Sequence, residues 1–307
     1  MTRNKLAFII ATKDRLNEIR RVLESLCAQS RKPDQVIVVD GGLNPVEAAV
    51  MEFPELSPTY LKTSKPSAAR QRNLGLSAVD DGITLVGFLD DDVVLDHEAV
   101  KEMMTFWDEA PVQIGGAAFN LANHPSLQAK HLKALPISKR MGLYSHEKGR
   151  VLPSGFQTMI GWISKNSYVD WLCSGAVVWR RTVFDAFRFD EWFQGYSYLE
   201  DLDFSYRVGR SFRLAVVSGA RYYHFPALMG RGSGRVFGKR EVLNRIYFVR
   251  KNRELSLPKC VLALGVRMGM SLAAGIRGGK PYDLLRTWGN LQGIFLAMTK
   301  GPFRRLG

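Results

Sequence analysis

Apolar residues in this chain come in short runs that stop abruptly at polar, aspartate- or glycine-bearing turns. Residues 6–11 (LAFIIA) form the first run and end at Thr12-Lys13-Asp14-Arg15. Leu16, Ile19, Val22, Leu23, Leu26 and Cys27 then recur at the spacing of one helix face, with Asp14 placed to cap it. Residues 35–39 (QVIVV) end in Asp40-Gly41-Gly42 and read as a strand followed by a turn. The pattern next predicts a helix over 67–77, a strand over 83–89, a helix over 97–107 and a strand over 113–119. Strands alternating with helices, with few two-residue hairpin turns, imply an α/β fold with a doubly wound, mostly parallel central sheet and flanking helices.

Between about residues 121 and 169 the pattern weakens into scattered Pro, Gly, Ser and His. Long loops and a short hairpin are expected there, the usual variable wall of a substrate pocket. Regularity returns at 171–179. A helix is expected over 181–187, another opening at Glu200, and a strand over 212–217. Past Pro226 the character changes. Residues 236–252 mix apolar and basic side chains at helical spacing; 257–276 are apolar but interrupted by Lys259, Arg267 and several glycines; 288–298 are apolar again. Neither apolar stretch is a charge-free span of ~20 residues, so helices lying in a membrane interface fit better than helices crossing it. Ordinary packing on the sheet is the competing expectation.

Charge sharpens this division. The 307 residues carry a net +14, but residues 231–307 hold 16 Lys/Arg against Glu241, Glu254 and Asp283, leaving a near-neutral body and a basic tail. Such asymmetry points to a polyanionic surface. The basic residues lie among Leu, Val, Met and Gly rather than on an aromatic platform, which favours an anionic membrane over nucleic acid. At 46% hydrophobic and 23% charged, the composition excludes a disordered or collagenous chain. Cys27, Cys173 and Cys260 are odd in number and far apart, pointing to a reducing compartment rather than a disulfide framework or structural zinc. Residues 6–11 are too short for a signal-peptide core.

The candidate chemistry begins with Asp90-Asp91-Asp92, which ends the 83–89 run. Three like charges at a strand tip repel one another, and a divalent cation such as Mn2+ or Mg2+ would reverse that repulsion. A solvated turn is the plain alternative. Asp40 could accept a hydrogen bond from a nucleotide base, or simply be a turn aspartate. Ala11, Thr12, Asp14 and Arg15 lie at the edge of the crevice that such sheets offer to ligands. Arg70 and Asn73 share a helix face and could meet phosphate and sugar, with Arg72 pointing elsewhere. Glu200-Asp201-Leu202-Asp203 follows the aromatic loop 192–199, which brings Trp192 and Tyr198 beside a candidate general base. His224 is a lone histidine among aromatics.

Taken in order, these pieces resemble the family 2 glycosyltransferases of GT-A fold. The matching segments are Thr12–Arg15 after an apolar strand, Val38-Val39-Asp40-Gly41-Gly42, Ala69–Gly75, Phe88–Asp92, Gly175 with Arg180-Arg181, and Glu200–Asp203. The resemblance covers residues 5–225. It implies a nucleotide-sugar donor and inverting, single-displacement transfer to an acceptor hydroxyl. Asp40 would contact the base, with the Thr12–Arg15 loop lining its pocket. Asp92 would hold the metal that bridges the donor diphosphate. Asp90 would lie near the ribose and Asp91 would act as a spacer within the donor site. Asp201 would be the base, with Gly175, Trp192, Tyr198 and Glu200 around the acceptor. His224 stands where some members supply a further metal ligand. Two departures stand out. Gly41-Gly42 replaces the usual Asn-Gly-Ser or Gly-Ser, and Gln71-Arg72 is extra. The QxxRW motif of processive members is absent, which favours transfer of a single sugar.

The expected organisation is a catalytic domain over 1–230, with a nucleotide-sugar-binding half (1–119) and an acceptor-binding half (120–230), followed by a basic amphipathic helical extension over 231–307. The expected partners are a UDP- or dTDP-sugar, a glycan or lipid-linked acceptor of the cell envelope, and an anionic membrane surface, but no nucleic acid. The expected location is cytoplasmic, peripheral on the membrane's cytoplasmic face. Two alternatives stay open. One is a non-catalytic, membrane-attached nucleotide-sugar-binding protein on the same fold. The other is a sugar-phosphate nucleotidylyltransferase, although its Gly-rich, Arg-containing loop is missing after the first strand.

Overall fold

The computed structural model describes residues 3–123, 142, 145–194, 197–226 and 233–299. The chain divides into two compact units, Met1–Ser126 with Ile160–Ala227 and Leu127–Met159 with Leu228–Gly307.

The first unit is built on a nine-stranded sheet. Its strands are β1 (Leu6–Thr12), β2 (Gln35–Asp40), β3 (Thr59–Lys62), β4 (Leu85–Asp90), β5 (Val93–Leu95), β6 (Ile114–Leu121), β7 (Ser167–Val169), β8 (Ala176–Arg180) and β9 (Arg213–His224). Their order is β3-β2-β1-β4-β8-β6-β9-β5, with β7 pairing β9. The β3-β2-β1-β4 block is parallel throughout. Strand β8 then runs antiparallel between β4 and β6, and β6 pairs β9 in parallel.

Strand periodicity explains why helices cover both faces. In β1, Leu6, Phe8 and Ile10 join one core with Ile19, Val22 and Leu23 of α1 (Leu16–Cys27) and Met103 and Trp107 of α4 (Ala99–Glu109). Ala7 and Ile9 face the opposite core, which includes Ala69 of α3 (Ala68–Leu76), Phe184 of α5 (Val183–Ala186), and Phe204 and Val208 of α6 (Glu200–Gly209). Alternate residues therefore serve alternate layers. The short α2 spans Glu47–Val50. Asp14 does not cap α1. It adopts a left-handed conformation (φ 54°), and its carboxylate accepts from the backbone N–H groups of Leu43 and Asn44.

The second unit holds α7 (Gly234–Lys251), α8 (Leu257–Gly278) and α9 (Pro281–Thr299). A hairpin-like bridge, Val151 to Gln157, lies in the weakly patterned segment. The preceding residues 124–141 fall outside the described residues, as do Gly195 and Tyr196 of the aromatic loop and the terminal basic residues Lys300, Arg304 and Arg305. Helices α7 and α9 meet at glycines. A methyl on Gly238 would collide with the carbonyl oxygen of Arg286, and one on Gly289 with that of Arg235. Gly234/Gly238 and Gly289/Gly293 are each four residues apart, so each helix presents a small-residue strip that admits the other's backbone. Glu241, 1% exposed, ties the three helices together through Arg267, Arg286 and Asn290.

Candidate active site

Strand register gathers the sequence-predicted residues at one sheet edge. Thr12 is opposite Asp40, and Ala11 lies between Val39 and Asp90. The carboxyl ends of β1, β2 and β4 therefore lie side by side, at the edge where open α/β sheets present their ligand sites. Gly175, entering β8, accepts from the Asp90 N–H at 3.0 Å, which brings the second half of the unit to the same edge.

The three aspartates of the triplet have different surroundings. Asp90 is part-exposed and accepts from Arg72 Nη2 at 2.9 Å. Asp91 turns inward, accepting from Thr12 Oγ1 at 2.7 Å and Arg15 Nη1 at 2.6 Å. Burial pushes its carboxyl up to about 6 against the pull of Arg15. Asp92 reaches His224 Nε2 at 3.1 Å and Arg15 at 3.6 Å. The antiparallel β5/β9 pair, which aligns Val93 with His224, makes the Asp92–His224 approach possible.

Asp40 is fully buried. Its carboxylate accepts from the N–H groups of Gly42 and Val46, the Tyr60 hydroxyl and Lys62 Nζ. Burial opposes its charge, yet these four donors hold it below the usual aspartate range. Its hydrogen-bonding capacity thus goes into shaping the loop after β2.

Helix α3 redistributes the expected roles of its polar residues. Arg70 Nε donates to Glu191, and Asn73 donates to the Phe189 carbonyl and Glu191 while accepting from the Phe189 N–H. Both side chains secure the segment that leads to the aromatic loop. Arg72, 3% exposed, is the side chain that faces the carboxylates. It donates to Glu200 at 2.6 Å and to Asp90 at 2.9 Å. Its burial follows from helical spacing, because Arg72 is three residues after buried Ala69. Gln71 braces the tips of β1 and β2 by donating to the carbonyls of Thr12 and Val39.

The aromatic loop is tied down at Ser197, whose hydroxyl lies 3.0 Å from that of Ser67, and half-buried Trp192 packs edge-on against Phe193. Half-buried Tyr198 follows, and then Leu199 leads into α6 in a left-handed conformation (φ 78°). This backbone is uncommon for a branched side chain and marks a constrained approach to Glu200-Asp201. Burial, reinforced by the charge on Asp201, pushes the Glu200 carboxyl up to about 8 against the pull of Arg72. Burial also raises Asp201, opposed by its hydrogen bond from the Leu202 N–H and by Arg72. Sequence pattern assigns Cys173 and Tyr222 no role at this site. Burial holds both in their protonated forms near this cluster, and a methyl on Gly175 would come within 3.5 Å of the Tyr222 hydroxyl and 3.6 Å of Asp90.

Among the described residues, no group of three or more His, Cys, Asp or Glu could hold a metal ion. Asp92 and His224 nevertheless supply a carboxylate and an imidazole at one point. Two protein ligands suit an ion that takes its remaining oxygens from a phosphate-bearing substrate and water.

The chain matches the family model "Glycosyl transferase family 2" over residues 7–162. No curated protein matches its sequence. Three solved proteins share its fold. TarS of S. aureus, residues 1–349 in complex with UDP-GlcNAc, aligns with a TM-score of 0.58 at 16% identity over 95% of this chain and 81% of that one. In a longer TarS structure, 85% of this chain covers 42% of the TarS chain, with a TM-score of 0.55 at 16% identity. The mannosyltransferase PcManGT of Pyrobaculum calidifontis, with GDP-Man and Mn2+, aligns with a TM-score of 0.54 at 14% identity over 99% and 88% of the two chains. GalNAc-T7, with UDP, GalNAc and Mn2+, aligns with a TM-score of 0.58 at 12% identity over 81% and 48%. The family match covers half the chain and the glycosyltransferase neighbours share its architecture, so the chain belongs to glycosyl transferase family 2.

Proposed function

We propose that the protein is an inverting glycosyltransferase that moves one sugar from a nucleotide-diphosphate donor to an acceptor hydroxyl, using a divalent cation at Asp92 and His224. The observation that carries this reading is the convergence at one sheet edge of two differently treated carboxylate groups: the Asp90–Asp92 tip and the Glu200–Asp201 helix start. Asp201 takes the proton from the acceptor hydroxyl. Its raised pKa makes it a stronger base than an ordinary aspartate. Arg72 holds the Asp90 tip and the α6 start in register and opposes protonation of Glu200 and Asp201. When bound, the cation neutralises the charge that develops on the leaving diphosphate. Asp40 and Asp14 shape the loop on which the base rests, while Thr12, Asp91 and Arg15 lock β1 to β4. Trp192 and Tyr198 line the acceptor side.

UDP- or dTDP-sugars are the favoured donors. The basic second unit favours a lipid-linked or cell-envelope acceptor on a cytoplasmic membrane face. Hydrolysis of a panel of UDP-, dTDP- and GDP-sugars with Mn2+, Mg2+ and chelator tests the reading. One donor should be turned over with a metal and not with chelator. Turnover of none, with nucleoside-diphosphate binding intact, would favour a non-catalytic binder.

A further inference from the structure

The second unit exposes more large apolar surface than its own packing explains. On α9, Trp288, Leu291, Phe295 and Met298 recur at three- and four-residue spacing and are 54%, 45%, 65% and 81% exposed. On α8, Leu262, Val266 and Met270 form a second exposed row. Rows of exposed large apolar side chains of this kind mark an interaction site. Its rim is cationic. Arg235 and Lys239, one turn apart on α7, line a groove of about 450 Å³ whose other wall is Trp288, Leu291 and Phe295.

Two like charges one turn apart repel each other. Neither forms an ion pair among the described residues. Arg235 Nε donates to Gln292 of α9 at 2.9 Å, which ties the guanidinium to the opposite wall of the groove. An anion between the two cations would offset this repulsion.

We propose that this groove seats the phosphate of an anionic membrane lipid, with the exposed rows of α8 and α9 entering the adjoining acyl boundary. A phosphate bridging Arg235 and Lys239 cancels their repulsion, and its hydrocarbon continues over Trp288 and Phe295. A second copy of the chain is a poorer occupant, because a self-complementary contact through this face would set two basic patches against each other. Helix α8 is long and apolar enough to cross a membrane. However, Arg267 at its middle is anchored to buried Glu241, and Cys260, Ala263, Leu264, Ser271 and Gly275 face inward. One face is free, which suits lying in the interface.

The test is co-sedimentation of the 307-residue chain with phosphatidylcholine vesicles, with and without phosphatidylglycerol. Binding should require the anionic lipid. Arg235→Gln/Lys239→Gln should weaken it roughly 20-fold or more, about fivefold per charge. Arg250→Gln/Arg253→Gln removes the same charge at and just past the far end of α7, where Arg250 lies about 20 Å along the helix from Arg235 and Lys239, and should cost clearly less. Trp288→Ser/Phe295→Ser, whose side chains are exposed, should weaken binding without lowering the melting temperature. Inorganic phosphate at millimolar concentration should compete poorly, because it lacks the hydrocarbon.

Equal losses for the two basic-residue doubles would overturn the groove and leave only diffuse attraction. Binding to neutral vesicles alone, no binding to any vesicle, or full competition by inorganic phosphate would also overturn it. Vesicle binding needs no donor and is therefore separable from catalysis, so donor hydrolysis should be unchanged in Arg235→Gln/Lys239→Gln.

Discussion

Glu200 and Glu241 are both buried glutamates that meet arginine, yet their environments push them in opposite directions. In the helical unit, Glu241 receives hydrogen bonds from Arg267, Arg286 and Asn290, which hold it below the usual glutamate range despite burial. In the sheet unit, Glu200 has Arg72 as its cation but shares it with Asp90 and sits beside Asp201, so burial wins and carries it up to about 8. A carboxylate that only holds helices together is fully satisfied. One that shares its cation and lies beside a second acid is left in electrostatic tension, as the proposed catalytic role of this cluster requires.

The sharpest break of this comparison is Asp201→Asn, expected to cost about 10²- to 10⁴-fold in transfer with donor affinity retained, measured by nucleoside-diphosphate release. Glu241→Gln should leave donor binding and hydrolysis unchanged. It strands two arginines, one of them largely buried, at an expected cost of about 3 kcal/mol, read by chemical denaturation. Gly238→Ala or Gly289→Ala should cost about 1–3 kcal/mol by forcing α7 and α9 apart.

The two glutamates also predict opposite pH behaviour. A carboxyl raised on folding keeps a proton that the unfolded chain has lost. Glu200 therefore contributes stability that is full below its ordinary value of 4.5 and is lost as pH rises through about 8. Glu200→Gln should flatten that decline. Glu241, lowered on folding, contributes above 4.5 and loses its contribution as pH falls through its folded value. The smallest expected effect is on the pH profile of Arg72→Met. Loss of the cation that opposes Asp201 protonation should move the acid limb of kcat/KM to higher pH. An unmoved limb would mean that Arg72 serves packing alone.

Much of the sheet unit could be read from the chain, because burial on both faces makes strand runs continuous and helix faces periodic. The 6–11, 35–39 and 83–89 runs appear as β1, β2 and β4 with small shifts at their ends. The ordered motifs placed Asp90–Asp92 and Asp201 near one another. Local spacing could not show how each side chain would be used. Arg70 and Asn73 look like ligands because they share a face, but Glu191 and Phe189 occupy that face. Arg72 faces inward to carboxylates 18 and 128 residues away. Nor could spacing show that the partners of Asp40 include Tyr60 and Lys62 on a neighbouring strand. In the tail, the mixture of basic and apolar residues was visible, but the α7–α9 glycine contact and the clamp on Glu241 depend on how the helices pair.

The division of labour between the two acidic clusters is tested most directly by calorimetric titration of UDP and GDP, with and without Mn2+, into wild type, Asp92→Ala and Asp201→Asn. At least one nucleotide should bind the wild type more tightly with Mn2+. Asp201→Asn should match that gain, and Asp92→Ala should lose it by about tenfold or more. A Mn2+-dependent gain that survives in Asp92→Ala, or disappears in Asp201→Asn with the fold intact, would contradict the assignment.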